Sequence, residues 1–111
     1  MTFPDNNTAS FIASFTEPAV TTGAPLAYYY IEYSEDGAAV VPLAHIPAAP
    51  AGGETKTNIT VIVPAPVGQT HTYDFTAVAV DVNGTPSPPS NDVKITVNRV
   101  APLAPTNFTI S

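Results

Sequence analysis

The chain has 111 residues and a formal net charge of −6 at pH 7, with 44% hydrophobic and 11% charged residues. This length is typical of one domain that buries its own core. The three basic residues, Lys56, Lys94 and Arg99, are too few to neutralise a nucleic-acid backbone, and the net charge is unfavourable at an anionic membrane surface. The absence of cysteine excludes a disulfide scaffold, a thiol nucleophile and a zinc–thiolate site. We therefore expect neither a nucleic-acid partner nor membrane insertion.

Proline and glycine distribution indicates an all-β protein. The chain carries 13 prolines and 6 glycines, and helix interiors do not tolerate proline. The short apolar runs between them are rich in Val, Ile, Tyr, Phe and Thr, which favour strands.

The first two predicted strands alternate between buried-type and exposed-type residues. Residues 9–16 form the first strand, and its inward face comprises Ala9, Phe11, Ala13 and Phe15. After a loop over residues 19–25, residues 26–33 form the second strand, with an inward face of Tyr29, Ile31 and Tyr33. The outward side of this second strand comprises Tyr28, Tyr30 and Glu32.

A tight turn and two further strands follow. Residues 34–37 end in Gly37, which favours a hairpin turn, and residues 38–43 return as a short strand. Residues 44–54 contain prolines and two adjacent glycines and are expected to form a loop. Residues 58–63 form the next strand, with a core side of Ile59, Val61 and Val63.

The last two predicted strands cover residues 73–80 and 93–97. The inward face of the first comprises Tyr73, Phe75, Ala77 and Ala79, and that of the second comprises Val93, Ile95 and Val97. Val67 lies six residues before Tyr73, across a turn that contains Gly68. This spacing is typical of a tyrosine corner, in which the hydroxyl bonds back to the upstream backbone.

In order and spacing, residues 10–97 resemble a fibronectin type III domain. Phe15-Thr16-Glu17-Pro18 occupies the place where the family has Trp, a small polar residue and Pro, with Phe as the aromatic anchor. Residues 29–33 match the family's Tyr-x-Val-x-Tyr pattern, and Tyr73 matches its corner tyrosine. A looser match comprises residues 79–81 with Gly84, Ser87 and Ser90. The resemblance implies an immunoglobulin-like Greek-key sandwich of about seven strands.

The two ends of the chain depart from this family pattern. Residues 1–8 lack the Pro-rich first strand of the family, whereas residues 102–111 carry that pattern at the C-terminus. We therefore divide the chain into a sandwich over residues 1–97 and a Pro-rich tail over residues 98–111. The tail is either the start of a following module or a docking strand, in which Leu103, Phe108 and Ile110 would contact the partner.

The sequence offers little for catalysis or for metal binding. His45 and His71 are expected to be surface loop residues, since two separated histidines do not make a zinc site. Glu35-Asp36 and the Asp81-Val82-Asn83 run could give oxygen ligands to calcium, but such residues also stabilise turns. The chain lacks a Gly-x-Ser-x-Gly elbow and a phosphate-binding loop. We expect no enzymatic activity and no cofactor.

Tyr28 and Tyr30 are the partner-binding candidates on the sheet, because outward aromatic side chains favour interfaces. The alternative is that they pair across strands or pack under the following loop. Domains of the resembled type serve as accessory modules in phage and bacterial proteins. We therefore expect a non-catalytic module in a virion, either as capsid decoration or in the tail, that binds a neighbouring protein. The alternative is a spacer or carbohydrate-contact module of a secreted enzyme or adhesin, located outside the cell or at its surface.

Overall fold

The computed structural model describes residues 1–3, 6–19, 23–49 and 52–111. Part of the predicted loop 19–25, namely residues 20–22, lies outside the described residues, as do residues 50–51 of the predicted loop 44–54. The described chain forms six strands and no helix. These are β1 (Thr8–Thr16), β2 (Leu26–Glu35), β3 (Val41–Pro47), β4 (Thr55–Pro64), β5 (Thr70–Asp81) and β6 (Val93–Asn98).

The strands form two antiparallel sheets of unequal width. One sheet contains β1 and β4, and the other has the order β3-β2-β5-β6. An isolated antiparallel bridge adds Thr2 beside β1, where Thr2 and Ser10 exchange two backbone hydrogen bonds of 3.0 and 3.1 Å. The predicted all-β, immunoglobulin-like sandwich is therefore confirmed.

The core lies between the sheets and takes side chains from both. Its buried members are Ala9, Ile31, Tyr33, Val61, Val63, Ala65, Tyr73 and Val97. Alternation places every second residue of a strand on the same face, and the predicted inward faces of β1, β2 and β4 are confirmed. Val93, which was predicted to face inward from β6, is half exposed.

The return strand after the hairpin lies later in the chain than predicted. Residues 38–40 are not in a strand, and β3 continues to Pro47 through residues that were predicted to form a loop. The turn itself is closed by a 2.9 Å bond from the Ala38 amide to the Glu35 carbonyl, with positive φ at Asp36 and Gly37. The Ser34 hydroxyl also bonds the Ala38 carbonyl at 2.7 Å, so residues 38–40 serve the turn before pairing begins.

Tyr73 makes the predicted backbone bond at the start of β5. Its buried hydroxyl donates to the carbonyl of Pro64, and the Glu35 carboxylate lies 3.3 Å away. Burial, together with the charge of Glu35, raises the pKa of Tyr73 to about 12. Val67, which the spacing assigned to the corner, takes no part in this bond. Its side chain is exposed and its amide donates to the Asn7 side chain at 3.2 Å, because the β4 end passes Tyr73 three residues earlier, at Pro64.

Glu17 closes the opposite end of the sandwich. Its side chain is buried, one carboxylate oxygen accepts from the Ala49 amide at 3.2 Å, and the other lies 3.7 Å from the Lys56 ammonium. The Glu17 amide donates to the Glu54 carbonyl at 2.8 Å. A buried carboxylate is stable only with such partners, so Glu17 ties the chain after β1 to the loop before β4.

Replacement of Tyr73 by Phe tests the corner bond. We expect Tyr73→Phe to lower the free energy of unfolding by about 1 kcal/mol or more, because the Pro64 carbonyl loses its donor. Urea unfolding measures the loss. Tyr33→Phe is the matched control, since Tyr33 is also buried but makes no hydroxyl hydrogen bond to another described residue. Equal losses in the two variants would contradict the corner.

The same variant gives a pH dependence. The folded-state pKa of Tyr73 is raised from 10.0 to about 12, so its contribution to stability is complete below pH 10 and is lost as the pH rises through 12. We expect the stability difference between the wild type and Tyr73→Phe to shrink over this range in urea unfolding at fixed pH. A difference that stays constant from pH 9 to about pH 12 would show that Tyr73 ionises with an ordinary pKa.

Candidate protein interaction site

The folded body of the protein ends just after β6. The Arg99 amide bonds the Gln69 carbonyl at 2.9 Å, and its carbonyl accepts from the Gly68 amide at 3.1 Å. The Arg99 guanidinium donates to the Ala65 carbonyl at 2.8 Å. The Val100 amide donates to the Asn98 side chain at 3.0 Å, so the bonded chain continues three residues beyond the predicted boundary at 97. Residues 101–111 make no hydrogen bond to the described residues and are exposed throughout.

This C-terminal arm, residues 101–111, carries three apolar side chains that lie almost fully in solvent. Leu103 is 95% exposed, Phe108 81% and Ile110 86%. Burying such a side chain stabilises a complex by about 1.5–3 kcal/mol. The molecule is 76 Å long and about 25 Å wide, whereas its longest strand of 12 residues spans only about 40 Å. The arm therefore extends away from the sandwich and presents its apolar side chains to any partner.

Tyr28 and Tyr30 lie half-buried on the outer face of the four-stranded sheet. The Tyr28 ring stacks on the His45 ring of β3 at 4.6 Å and 20°, and the Tyr30 ring lies 6.4 Å from the same histidine. Across β5 they lie opposite Val80 and Val78, which are both buried. The two tyrosines thus pair across strands, which was one of the two predicted alternatives. Their role in partner binding stays a prediction.

His45 and His71 both lie in strands, although loop positions were predicted. His71 belongs to β5, where its Nδ1 lies 2.6 Å from Asp36 and 3.5 Å from Glu35, and its Nε2 lies 2.6 Å from the Gln69 side chain. The second oxygen of Asp36 accepts from the Thr72 amide at 2.8 Å. The hydrogen bond with Asp36 raises the pKa of His71, and the same bond lowers the pKa of Asp36.

This Glu35–Asp36–His71 cluster is the only group of three potential metal ligands in the part of the chain that the structure describes. Three side-chain ligands are fewer than the four of a structural zinc site and the six or more oxygen ligands of calcium. Each member also bonds another protein group. The cluster therefore fastens the hairpin turn to β5, and its position followed from the β2–β5 register, which sequence spacing alone did not supply.

The second calcium candidate is a turn. One Asp81 carboxylate oxygen accepts from the Asn83 amide at 2.8 Å and from the Thr85 amide at 2.9 Å. A carboxylate that bonds the backbone two residues ahead is the usual device of such turns. The run 81–83 thus starts the connection to β6.

Comparison of the sequence with family models and curated proteins, and with solved structures, found no match. Among the described elements there is no helix of the length and hydropathy that a membrane crossing requires.

The cluster around His71 predicts a pH-dependent contact. Since the His71 pKa is raised above its ordinary 6.5, its stabilising bond is fully present below that pH and is lost as the pH rises through the folded pKa. We expect Asp36→Asn to move the His71 titration, followed by NMR, to lower pH. Glu54→Gln is the control, because that carboxylate bonds Lys56 instead. An unchanged His71 titration in Asp36→Asn would show that the two side chains do not interact in solution.

Proposed function

We propose that this chain is a non-catalytic module of the fibronectin type III type. The strand order supports this, since a β1–β4 sheet faces a β3-β2-β5-β6 sheet and the bridge at Thr2 lies where a first strand would pair. The bond of Tyr73 to the backbone of Pro64 supports it further.

The exposed arm carries the functional part of the proposal. The apolar side chains of Leu103, Phe108 and Ile110 do not pack against the domain. Residues 102–111 also contain no charged side chain, so burying them in a complex does not require desolvating an ion. The arm therefore fits a protein partner with an apolar acceptor surface better than it fits a small molecule or a polar polymer. The polar clusters around Asp36 and Asp81 are occupied in fastening turns.

We place this module in a phage virion, as a capsid decoration or tail accessory protein. The support is the resemblance together with a composition rich in Ala, Thr and Pro and low in charge. The partner in this proposal is a neighbouring virion protein or a flanking module.

A carbohydrate-contact or spacer module of a secreted enzyme or adhesin is the second candidate. The observation that favours it is the aromatic face formed by Tyr28, Tyr30 and His45, because stacked rings on a sheet offer an apolar platform to a sugar ring. The close stacking of Tyr28 on His45 leaves less ring surface for a ligand, and for this reason we rank the candidate second.

Gradient-purified particles from the source culture distinguish the two candidates. We expect the chain, followed by mass spectrometry, to sediment with the particles. We also expect a labelled chain with Phe108→Ser and Ile110→Ser to lose binding to stripped particles. Thr109→Ala, which keeps both apolar side chains of the arm, is the matched control. Recovery of the chain only in the soluble secreted fraction, or binding to a glycan array that depends on Tyr28 and Tyr30, would contradict the virion role.

A further inference from the structure

The two sheets of the sandwich leave an apolar groove along one side. The groove lies between the outer edge of β1 and the edge strand β6, and it has a volume of about 260 Å³. Its apolar lining includes Phe11, Ile31, Val61, Phe75, Val93 and Ile95. Phe11, Phe75 and Ile95 pack against the core but are only partly buried. A four-stranded sheet thus presents core side chains that a two-stranded sheet is too narrow to cover.

The β1 edge beside this groove has backbone groups available for pairing. Ser10 pairs outward with Thr2, and residues of a strand alternate between facing one neighbour and the other. Ile12 therefore directs its N–H and C=O away from β4 and toward the same open side, where no described residue pairs with it. Its side chain is 68% exposed on the outer surface. An unpaired edge beside an apolar groove is a template for an added strand.

The C-terminal arm carries apolar side chains that can fill this groove. Phe108 and Ile110 alternate with Thr109, so in an extended conformation both apolar side chains would lie on one face. Both are more than four-fifths exposed. β1 lines the groove over residues 11–14, about four residues or 13 Å, and this length matches the short run that carries these two side chains.

The arm of the same molecule is poorly placed to fill its own groove. It leaves the domain at Arg99, beside the start of β1, and the N-terminal segment lies between this exit and the groove. The Arg99 guanidinium lies 4.8 Å from the Phe3 ring, and Thr2 is paired with Ser10. If the arm of the same molecule folded back, it would have to cross this segment and run parallel to β1. The arm of another molecule can instead run antiparallel to β1, in the same direction as the Thr2 segment that pairs with Ser10.

We propose that the groove between β1 and β6 accepts the C-terminal arm of a second copy of this chain, with Phe108 and Ile110 filling it and the arm backbone pairing with Ile12. This inference rests on the proposed role of the arm in protein binding and adds the identity of the partner. The arm that binds and the groove that accepts it lie on different parts of each molecule, so the contact is head-to-tail. Such a contact gives open chains of molecules, or rings if the rotation closes.

The test is analytical ultracentrifugation of the full chain and of two single-function variants. Phe108→Ser with Ile110→Ser removes the apolar side chains with which the arm would bind, and we call this the donor-null variant. Thr109→Ala is its matched control. Ile12→Pro removes the outward N–H beside the groove, and we call this the acceptor-null variant. Proline is tolerated where an edge N–H faces solvent, so we expect the variant to fold. Ile12→Thr, which retains the N–H, is its control. Val93→Gln at the half-exposed rim of the groove is a second acceptor variant in case Ile12→Pro fails to fold.

We expect the average mass of the wild type to rise with concentration between about 10 µM and about 1 mM, and the association constant to fall by about tenfold or more in either variant. Mixing the donor-null with the acceptor-null variant should give complexes of two chains and nothing larger, because each supplies the half that the other lacks. High salt should not dissociate the assembly, since two chains of net charge −6 repel each other less when screened.

A wild type that stays monomeric, or acceptor variants that associate like the wild type, would overturn the proposal. A monomer in which the Ile12 amide is protected would show that the arm fills its own groove, which also overturns it. The proposed function fails separately. It fails if the donor-null variant binds stripped particles as well as the wild type, and it stands if particle binding needs Phe108 and Ile110 while the free chain remains a monomer.

Discussion

The difference in width between the two sheets is the constraint on which the rest of this structure depends. Strands in a sheet lie about 4.8 Å apart, so β1 and β4 cover about half of the face that β3, β2, β5 and β6 present. The covered half is the buried core around Val63, Tyr73 and Val97. On the other half the apolar side chains stay partly in water, and the bridge from Thr2 to Ser10 covers only the first part of the open side.

The ends of the sandwich hold this unequal pair of sheets together. At one end the Tyr73 hydroxyl and the Arg99 guanidinium bond the carbonyls of Pro64 and Ala65, so β5 and the chain after β6 are tied to the end of β4. At the other end Glu17 binds the Ala49 amide and lies near Lys56. These contacts join the two sheets at their ends, because the hydrogen bonds between strands lie within each sheet and cannot connect one sheet to the other. The open side between β1 and β6 has no comparable contact among the described residues.

The sequence predicted the strands well where period-2 alternation is strong. The inward faces of β1, β2 and β4 followed from alternation alone, and the corner role of Tyr73 followed from its spacing after Val67 and from the family resemblance. The acceptor of its bond did not, because spacing gives a distance along the chain and not the carbonyl that meets the hydroxyl. The β3 bounds were wrong because the polar contacts of Ser34 and Asp36 delay pairing after the turn. The contact of His71 with Asp36 depends on a register between strands 35 residues apart, which a single sequence does not reveal.

The candidate site was also predictable from the sequence only in part. The apolar arm was predictable, since its pattern of Leu103, Phe108 and Ile110 is local. Its proposed acceptor was not, because the groove takes its residues from five strands and exists only once the sheets have packed. Tyr28 and Tyr30 were predictable as outward residues, but the partner that each ring meets, His45, lies in a segment that was predicted to be a loop.

Amide hydrogen exchange at Ile12, followed by NMR at low and at high concentration of the full chain, tests this account most directly. Because the Ile12 N–H faces the open edge, it should exchange rapidly in the dilute protein and become protected as the concentration rises. The Phe108→Ser, Ile110→Ser variant should show no such protection. An Ile12 amide that exchanges at the same rate at every concentration would contradict the claim that the open edge of β1 is an acceptor for the arm of a second chain.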